Sequence, residues 1–70
     1  MTLSEAKRIK DSFYKKSAPT EEDVFLFTEA LNYLIEETKN PHYMLELGGY
    51  YYGERDFDLA LKYYELAAKN

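Results

Sequence analysis

Apolar residues recur three or four positions apart along most of this chain, with polar residues between them, and this pattern is typical of amphipathic helices. No segment alternates strictly between apolar and polar residues, so no strand is predicted. Short turn-forming sequences divide the pattern into four segments, and short connections favour antiparallel neighbours. The sequence therefore predicts an all-α fold of four antiparallel helices. The apolar positions are Leu3, Ala6, Ile9 and Phe13, then Phe27, Leu31, Leu34 and Ile35, then Met44, Leu47 and Tyr51, and finally Phe57, Ala60, Leu61, Tyr64, Ala67 and Ala68.

Capping residues place the first two helix starts. Thr2 and Glu5 have the spacing of a capping box, and the first helix is predicted to run to about Lys16. Pro19 disfavours helical backbone at the residue before it, and Thr20 is a good N-cap for the second helix. Three acidic residues follow Thr20, where the positive end of the helix dipole favours them.

Two further boundaries define the second half of the chain. Asn40 is a favoured N-cap, and proline suits the first helical position, so a third helix is predicted from Pro41 to about Tyr52. Gly53 is expected to end that helix, and the fourth helix is predicted from about Phe57 to Lys69.

The length and charge of the chain indicate one small domain with an uneven charge distribution. Residues 1–19 form a basic helical segment, with five basic and two acidic residues, and residues 20–70 contain four basic and eleven acidic residues. Within the second part, residues 20–40 form an amphipathic helix and residues 41–70 a helical hairpin. The basic segment is expected to pack on the acidic body of its own chain, and the alternative is a basic arm that binds nucleic acid or an anionic surface.

The two adjacent glycines of the third helix need an explanation, because glycine inside a helix costs about 1 kcal/mol relative to alanine. Gly48 shares a helix face with Met44, Leu47 and Tyr51. Small residues on one helix receive large ones from the other when two helices pack closely. We therefore expect Tyr64 to fill the space at Gly48 and Tyr51 to lie over Ala60.

This spacing of small and large residues resembles a tetratricopeptide repeat. The matching positions are Met44, Leu47-Gly48, Tyr51, Phe57, Ala60, Tyr64 and Ala67. The tandem alanines at the end also resemble the Sel-like subclass. A methionine stands in place of the family's tryptophan, and the turn glycine is displaced to Gly53. The resemblance covers residues 41–70 and implies a hairpin stacked on the two N-terminal helices.

The resemblance also implies a binding groove, because the first helix of each repeat lines the inner surface in this family. The implied groove residues are His42, Leu45, Glu46, Gly49 and Tyr52. Repeats that grip a C-terminal carboxylate use asparagine and basic residues there, and this chain has Glu46, Gly49 and Gly53 instead. An apolar or basic peptide is therefore the expected ligand.

A second surface is predicted from helix four. Leu59, Tyr63 and Leu66 form an apolar stripe beside the predicted inner stripe. One hairpin cannot bury both of its faces, and exposed apolar stripes on small domains usually mark contact surfaces. We therefore expect these three residues to mediate self-association into a dimer or higher oligomer.

Candidate catalytic and metal-binding groups are sparse. His42 is the only histidine and cysteine is absent, so a zinc site is not expected. The acidic clusters Glu21-Glu22-Asp23 and Glu36-Glu37 fit helix-end electrostatics and solvated faces. The serines lack a histidine in the same segment, and Gly48 and Gly49 do not follow a strand as phosphate-binding loops do. We expect no enzyme activity and no cofactor.

The sequence is compatible with two functional interpretations. The first is a protein-protein interaction module, and the second is a binder of nucleic acid or an anionic surface through Lys7, Arg8 and Lys15. The overall acidity makes nucleic acid the less favoured partner. No apolar run approaches the length of a membrane span, and the lack of cysteine fits a reducing compartment, so a cytoplasmic location is expected.

Overall fold

A computed structural model describes all residues from 1 to 70 and shows four α-helices and no strand. The helices are α1 (Leu3–Phe13), α2 (Glu21–Thr38), α3 (Pro41–Gly53) and α4 (Phe57–Lys69). Each helix packs against the next one along the chain, and the closest pairs are the helical hairpins α1–α2 and α3–α4. The predicted all-α class is confirmed.

The predicted helix starts are formed by the expected capping residues. The Glu5 backbone N–H donates to Thr2 Oγ1 at 3.1 Å, and the Thr2 N–H donates back to Glu5 Oε1 at 2.9 Å. Thr20 forms the same reciprocal arrangement with Asp23. Asn40 caps α3 through its side-chain oxygen, which accepts from the backbone of the second helical residue. These contacts satisfy N–H groups that have no partner within the helix.

The end of α1 differs from the prediction, and the turn after α3 has an unexpected backbone conformation. α1 ends at Phe13, three residues before the predicted end at Lys16, and a turn follows in which the Lys16 N–H donates to the Phe13 carbonyl. Gly53 is the last residue of α3, but its φ is not positive. Arg55 instead adopts the left-handed conformation in the turn before α4, with φ of 63°. The residue that reverses the chain is therefore an arginine, for which this backbone conformation is unfavourable.

One core is built from all four helices. Its largest fully buried side chains are Phe27, Leu31, Leu34, Met44 and Leu47, which come from α2 and α3. Ala6 from α1 and Ala67 from α4 join the same cluster. Because α2 and α3 supply most of this apolar volume, they form the centre on which the outer helices pack.

Aromatic rings join α1 to this centre. The rings of Phe13 and Phe27 are stacked with centroids 4.1 Å apart, and Tyr50 meets Phe27 edge-on at 5.2 Å. Aromatic pairs in these arrangements are stabilising beyond the area that they bury. None of the four helices combines the length and the apolar composition needed to cross a membrane.

Candidate functional site

The α3–α4 hairpin is packed closely at Gly48. A Cβ atom added there would lie 2.9 Å from Tyr64 Cε1 and 3.3 Å from the backbone oxygen of Ala60. The Tyr64 ring therefore fills the space above Gly48, as the spacing of the sequence predicts. The ring of Tyr51 stacks on that of Tyr63, with centroids 5.8 Å apart.

The outer side of the hairpin carries a continuous apolar surface, which we call the tail face. A groove of about 300 Å³ runs along it, lined by Tyr52, Phe57, Ala60, Leu61 and Tyr64. The rings of Tyr52 and Phe57 meet edge-on at 5.4 Å across the turn between the helices. The tail face is defined by the exposed large side chains Leu45, Tyr52, Phe57, Leu61 and Tyr64, with exposed fractions from 36% to 61%.

The predicted groove residues of α3 do not all lie on one surface. His42, Leu45, Gly49 and Tyr52 are exposed, and Leu45 and Tyr52 belong to the tail face. Glu46 points instead toward α1, where its side chain is 15% exposed. The prediction that Glu46 lines an open groove with the other four is therefore corrected, because Lys10 of α1 and Tyr14 just after α1 bind its carboxylate.

Glu46 is the centre of a polar cluster between α1 and α3. The Tyr14 hydroxyl donates to Glu46 Oε2 at 2.6 Å, and Lys10 Nζ lies 3.2 Å from the same oxygen. Lys10 also lies 2.8 Å from Asp11. The second carboxylate oxygen of Glu46 is buried and has no hydrogen-bond partner. The cluster links α1 to α3 through side chains and leaves one acceptor of Glu46 unused.

The charge of Glu46 changes the acidity of its two neighbours. Partial burial raises the pKa of Tyr14, and the hydrogen bond to Glu46 raises it further. Burial alone would lower the pKa of Lys10, but the hydrogen bonds to Asp11 and Glu46 outweigh burial and raise it. Tyr14 therefore stays protonated as a hydrogen-bond donor and Lys10 stays charged at neutral pH. Neither pKa is shifted toward neutral pH, where a side chain transfers protons most effectively.

The self-association stripe predicted on α4 is largely buried. Tyr63 is only 9% exposed, and its hydroxyl donates to Asn32 Oδ1 of α2 at 3.1 Å. Leu66 is partly buried and packs against the core, and Leu59 is also partly buried. Tyr63 therefore turns toward α2 within the same chain and does not lie on an open stripe. Self-association through Leu59, Tyr63 and Leu66 stays a prediction that their partial or full burial makes less favourable.

The buried face of α4 differs from the predicted inner stripe. Ala60 and Ala67 are buried as predicted, but Phe57 and Leu61 are 56% and 57% exposed, and Tyr64 is 36% exposed. Small alanines allow α3 and α4 to approach, and Tyr63 extends to α2, so the rest of the apolar surface of α4 faces outward. Sequence reasoning missed Phe57, Leu61 and Tyr64 as surface residues.

The basic side chains of α1 divide into two groups. Lys10 contacts Asp11 and Glu46, and Lys16 lies 3.5 Å from Asp23. These contacts agree with the expectation that the basic segment packs on the acidic body. Lys7, Arg8 and Lys15 are exposed and outside the ion pairs of the chain.

Metal-binding geometry is absent from the structure, since no group of three or more histidine, aspartate or glutamate side chains is arranged to hold an ion. His42 is exposed and its ring lies 6.0 Å from that of Tyr43. Comparisons with models of known families, with curated proteins and with solved structures found no match to this chain.

Proposed function

We propose that this protein is a non-catalytic protein-protein interaction module that binds an apolar helical surface of a partner with its tail face. The observation that supports the proposal is the concentration of five large exposed apolar side chains on one side of the α3–α4 hairpin. Contiguous apolar patches of this kind commonly mark interaction surfaces in small proteins.

The tail face is large enough to form most of one side of a protein interface. With roughly 200 Å² for each fully exposed large side chain, the exposed fractions amount to about 500 Å². A standard interface buries about 800 Å² on each partner. The tail face thus accounts for the greater part of one side of such an interface.

The shape of the tail face favours a helix as the bound element. Its groove lies between two adjacent helices, and an amphipathic helix can place its apolar side in such a groove. Tyrosine and phenylalanine rings on both edges offer rigid contact area with little loss of side-chain freedom on binding.

The resemblance of residues 41–70 to a tetratricopeptide repeat is part of the same proposal. The contact of Tyr64 with Gly48 supports it, because the motif implies that a large residue occupies this notch. The self-association and the cytoplasmic location expected from the sequence also remain proposals, with the contact surface moved from Leu59, Tyr63 and Leu66 to the tail face.

A peptide-selection experiment tests the proposed function. Amphipathic helical peptides are selected from a display library against the whole chain, and their affinities are measured by fluorescence anisotropy for the wild type, Leu61→Asp and Leu3→Asp. Leu3 is the control, since it is 42% exposed but lies on α1. We expect Leu61→Asp to weaken binding by about tenfold or more, because the carboxylate must be dehydrated against apolar surface. Equal binding to the wild type and Leu61→Asp would contradict the proposal.

A further inference from the structure

Helix α4 carries a row of four exposed charged residues beside the tail face, which we call the charged row. It consists of Asp58, Lys62, Glu65 and Lys69. Spacings of four, three and four residues place these side chains on one side of the helix. They line one shallow depression together with Leu61, which also lines the groove of the tail face. The charged row therefore borders the tail face.

The charges of this row are not neutralised within the chain. The spacing would suit pairs between neighbouring turns of α4, but none of the four residues takes part in an ion pair. Lys62 Nζ instead lies 5.4 Å from the centroid of the Tyr63 ring. The helix dipole favours Asp58 in the first turn and Lys69 in the last turn, but it does not account for the signs of Lys62 and Glu65 between them.

The order of the charges is self-complementary. The row has the same spacing when it is read from either end, and its signs are then opposite. Two antiparallel copies of the row consequently match every acid with a base. Asp58 lies opposite Lys69 of a second copy, and Lys62 lies opposite Glu65. A two-fold axis between residues 63 and 64 forms each of these pairs twice.

The exposed apolar row of α4 has the same symmetry. Phe57, Leu61, Tyr64 and Ala68 repeat the spacing of four, three and four residues, and their centre lies one residue earlier. One antiparallel arrangement therefore matches both rows to within about 1.5 Å along the helices. It places Leu61 opposite Tyr64 and the large Phe57 opposite the small Ala68. In coiled coils, charged residues that flank an apolar row in this way set the orientation of the helices.

We infer that the tail face binds the tail face of a second copy of this chain, with the two α4 helices antiparallel about a two-fold axis near residue 63. This inference rests on the proposed function and names its partner. Two tail faces of about 500 Å² each reach the roughly 1,000 Å² expected of a specific interface. Because both copies use the same surface, the contact closes as a dimer.

A parallel pair of α4 helices does not use the charged row. A two-fold axis along the helices would turn the two charged rows to opposite sides of the interface, where the charges could not meet. An antiparallel pair brings both rows to the same side, where each acid meets a base. Electrostatic complementarity of this kind selects the orientation of a contact.

Charge substitutions near the two-fold axis test the inference by sedimentation equilibrium from low micromolar to near-millimolar concentration, with circular dichroism to verify the fold. Lys62→Glu introduces two acid–acid pairs into the dimer, and Glu65→Lys introduces two base–base pairs. We expect each variant alone to dimerise about tenfold more weakly than the wild type, and an equimolar mixture to regain the wild-type affinity as a heterodimer. Lys7→Glu is the matched control, because it makes the same change in net charge as Lys62→Glu at an exposed residue of α1. Mixing cannot restore pairs within one helix, so a mixture that associates no better than either variant would overturn the inference.

Cysteine crosslinking tests the direction of the helices, since the chain has no cysteine of its own. In the antiparallel dimer, Asp58→Cys mixed with Lys69→Cys should be joined by a short bis-maleimide. Asp58→Cys alone should not be joined, because its two copies lie eleven residues, or about 16 Å, apart along the helices. Crosslinking of Asp58→Cys alone would indicate a parallel pair and would overturn the inference.

The outcomes separate the inference from the proposed function. A wild type that stays monomeric at all concentrations overturns the dimer, and so does a dimer whose affinity Lys62→Glu and Glu65→Lys leave unchanged. In either case the peptide-binding experiment with Leu61→Asp still decides whether the tail face is a binding surface.

Discussion

Replacing Gly48 by alanine, with Gly49 as the matched control, tests the packing that holds α3 against α4. Both glycines lie inside α3, and alanine is preferred over glycine in a helix by about 1 kcal/mol. They differ in their surroundings, since a Cβ at Gly48 would lie 2.9 Å from Tyr64 Cε1, while one at Gly49 would lie 3.8 Å from the Tyr64 hydroxyl. The comparison therefore separates helix propensity from close packing.

The magnitude follows from these contacts. Carbon atoms are best separated by about 3.5 to 4.0 Å, so Gly48→Ala forces the Tyr64 ring to move, and the Ala60 carbonyl oxygen at 3.3 Å allows little shift of the backbone. Overpacking of this kind costs about 1 to 3 kcal/mol, which exceeds the gain in helix propensity. We expect Gly48→Ala to lower the free energy of unfolding by about 1 kcal/mol and Gly49→Ala to raise it by a similar amount.

Thermal and urea unfolding followed by circular dichroism measures the difference. A change of 1 kcal/mol shifts the Tm of a domain of this size by about 4 to 8 °C, so the two variants should differ by about 10 °C. Repeating both changes in a Tyr64→Ala background completes a double-mutant cycle, and there Gly48→Ala should become stabilising. If Gly48→Ala is as stabilising as Gly49→Ala with Tyr64 present, the notch is not filled by this ring.

Three further predictions concern the polar contacts and the turns. Tyr14→Phe removes the hydrogen bond to Glu46 and should lower the free energy of unfolding by about 1 kcal/mol, which is below the usual range for a charged acceptor because more than half of the Tyr14 side chain is exposed. An unchanged midpoint of urea unfolding would count against the bond. Arg55→Gly should raise the free energy of unfolding by about 1 kcal/mol, since glycine adopts a positive φ without strain, and a lower Tm would contradict this explanation. The hydrogen bond from the Thr20 backbone is the main cause that lowers the pKa of Asp23 in the folded protein, and the hydrogen bond with the Thr20 side chain lowers it further. The stabilising contribution of Asp23 is therefore complete above its pKa in the unfolded chain and is lost as the pH falls through its pKa in the folded protein. Asp23→Asn should consequently weaken the dependence of the free energy of unfolding on pH at acidic pH. An unchanged dependence would show that this contribution is absent.

The helices and their starts could be predicted from the sequence because the signals are local. Threonine or asparagine before a helical pattern satisfies the free N–H groups of the first turn wherever the helix packs. The contact between Gly48 and Tyr64 was also predictable, since a helix interior offers few other reasons for glycine. These features depend on a few neighbouring residues or on one close helix pair.

The orientation of α4 could not be predicted from the sequence. This helix has two apolar rows, one with Ala60, Tyr63 and Ala67 and one with Phe57, Leu61 and Tyr64, and both have helical spacing. Periodicity shows that both rows exist, but the choice between them depends on contacts with α2, such as the hydrogen bond of Tyr63. Burial of the row with small residues lets the backbones approach, although the larger apolar area then stays in water.

The turn of Glu46 toward α1 was missed for a related reason. The sequence around Glu46 does not indicate whether its carboxylate faces solvent or contacts the basic helix about thirty residues earlier in the chain. Lys10 and Tyr14 are four residues apart on and just after α1, so both can contact one carboxylate. The charge difference between residues 1–19 and the rest of the chain indicates attraction between them but does not identify the pair.

Tyr64 links the packing of the hairpin to the proposed binding surface. One edge of its ring fills the space at Gly48, and the remaining third of the side chain is exposed on the tail face. A ring held in this way loses little conformational freedom when a partner covers it. Its side-chain entropy is lost during folding and not during binding, which favours binding. The glycine that permits close packing of α3 and α4 thereby also fixes an aromatic ring on the surface that we propose binds a partner.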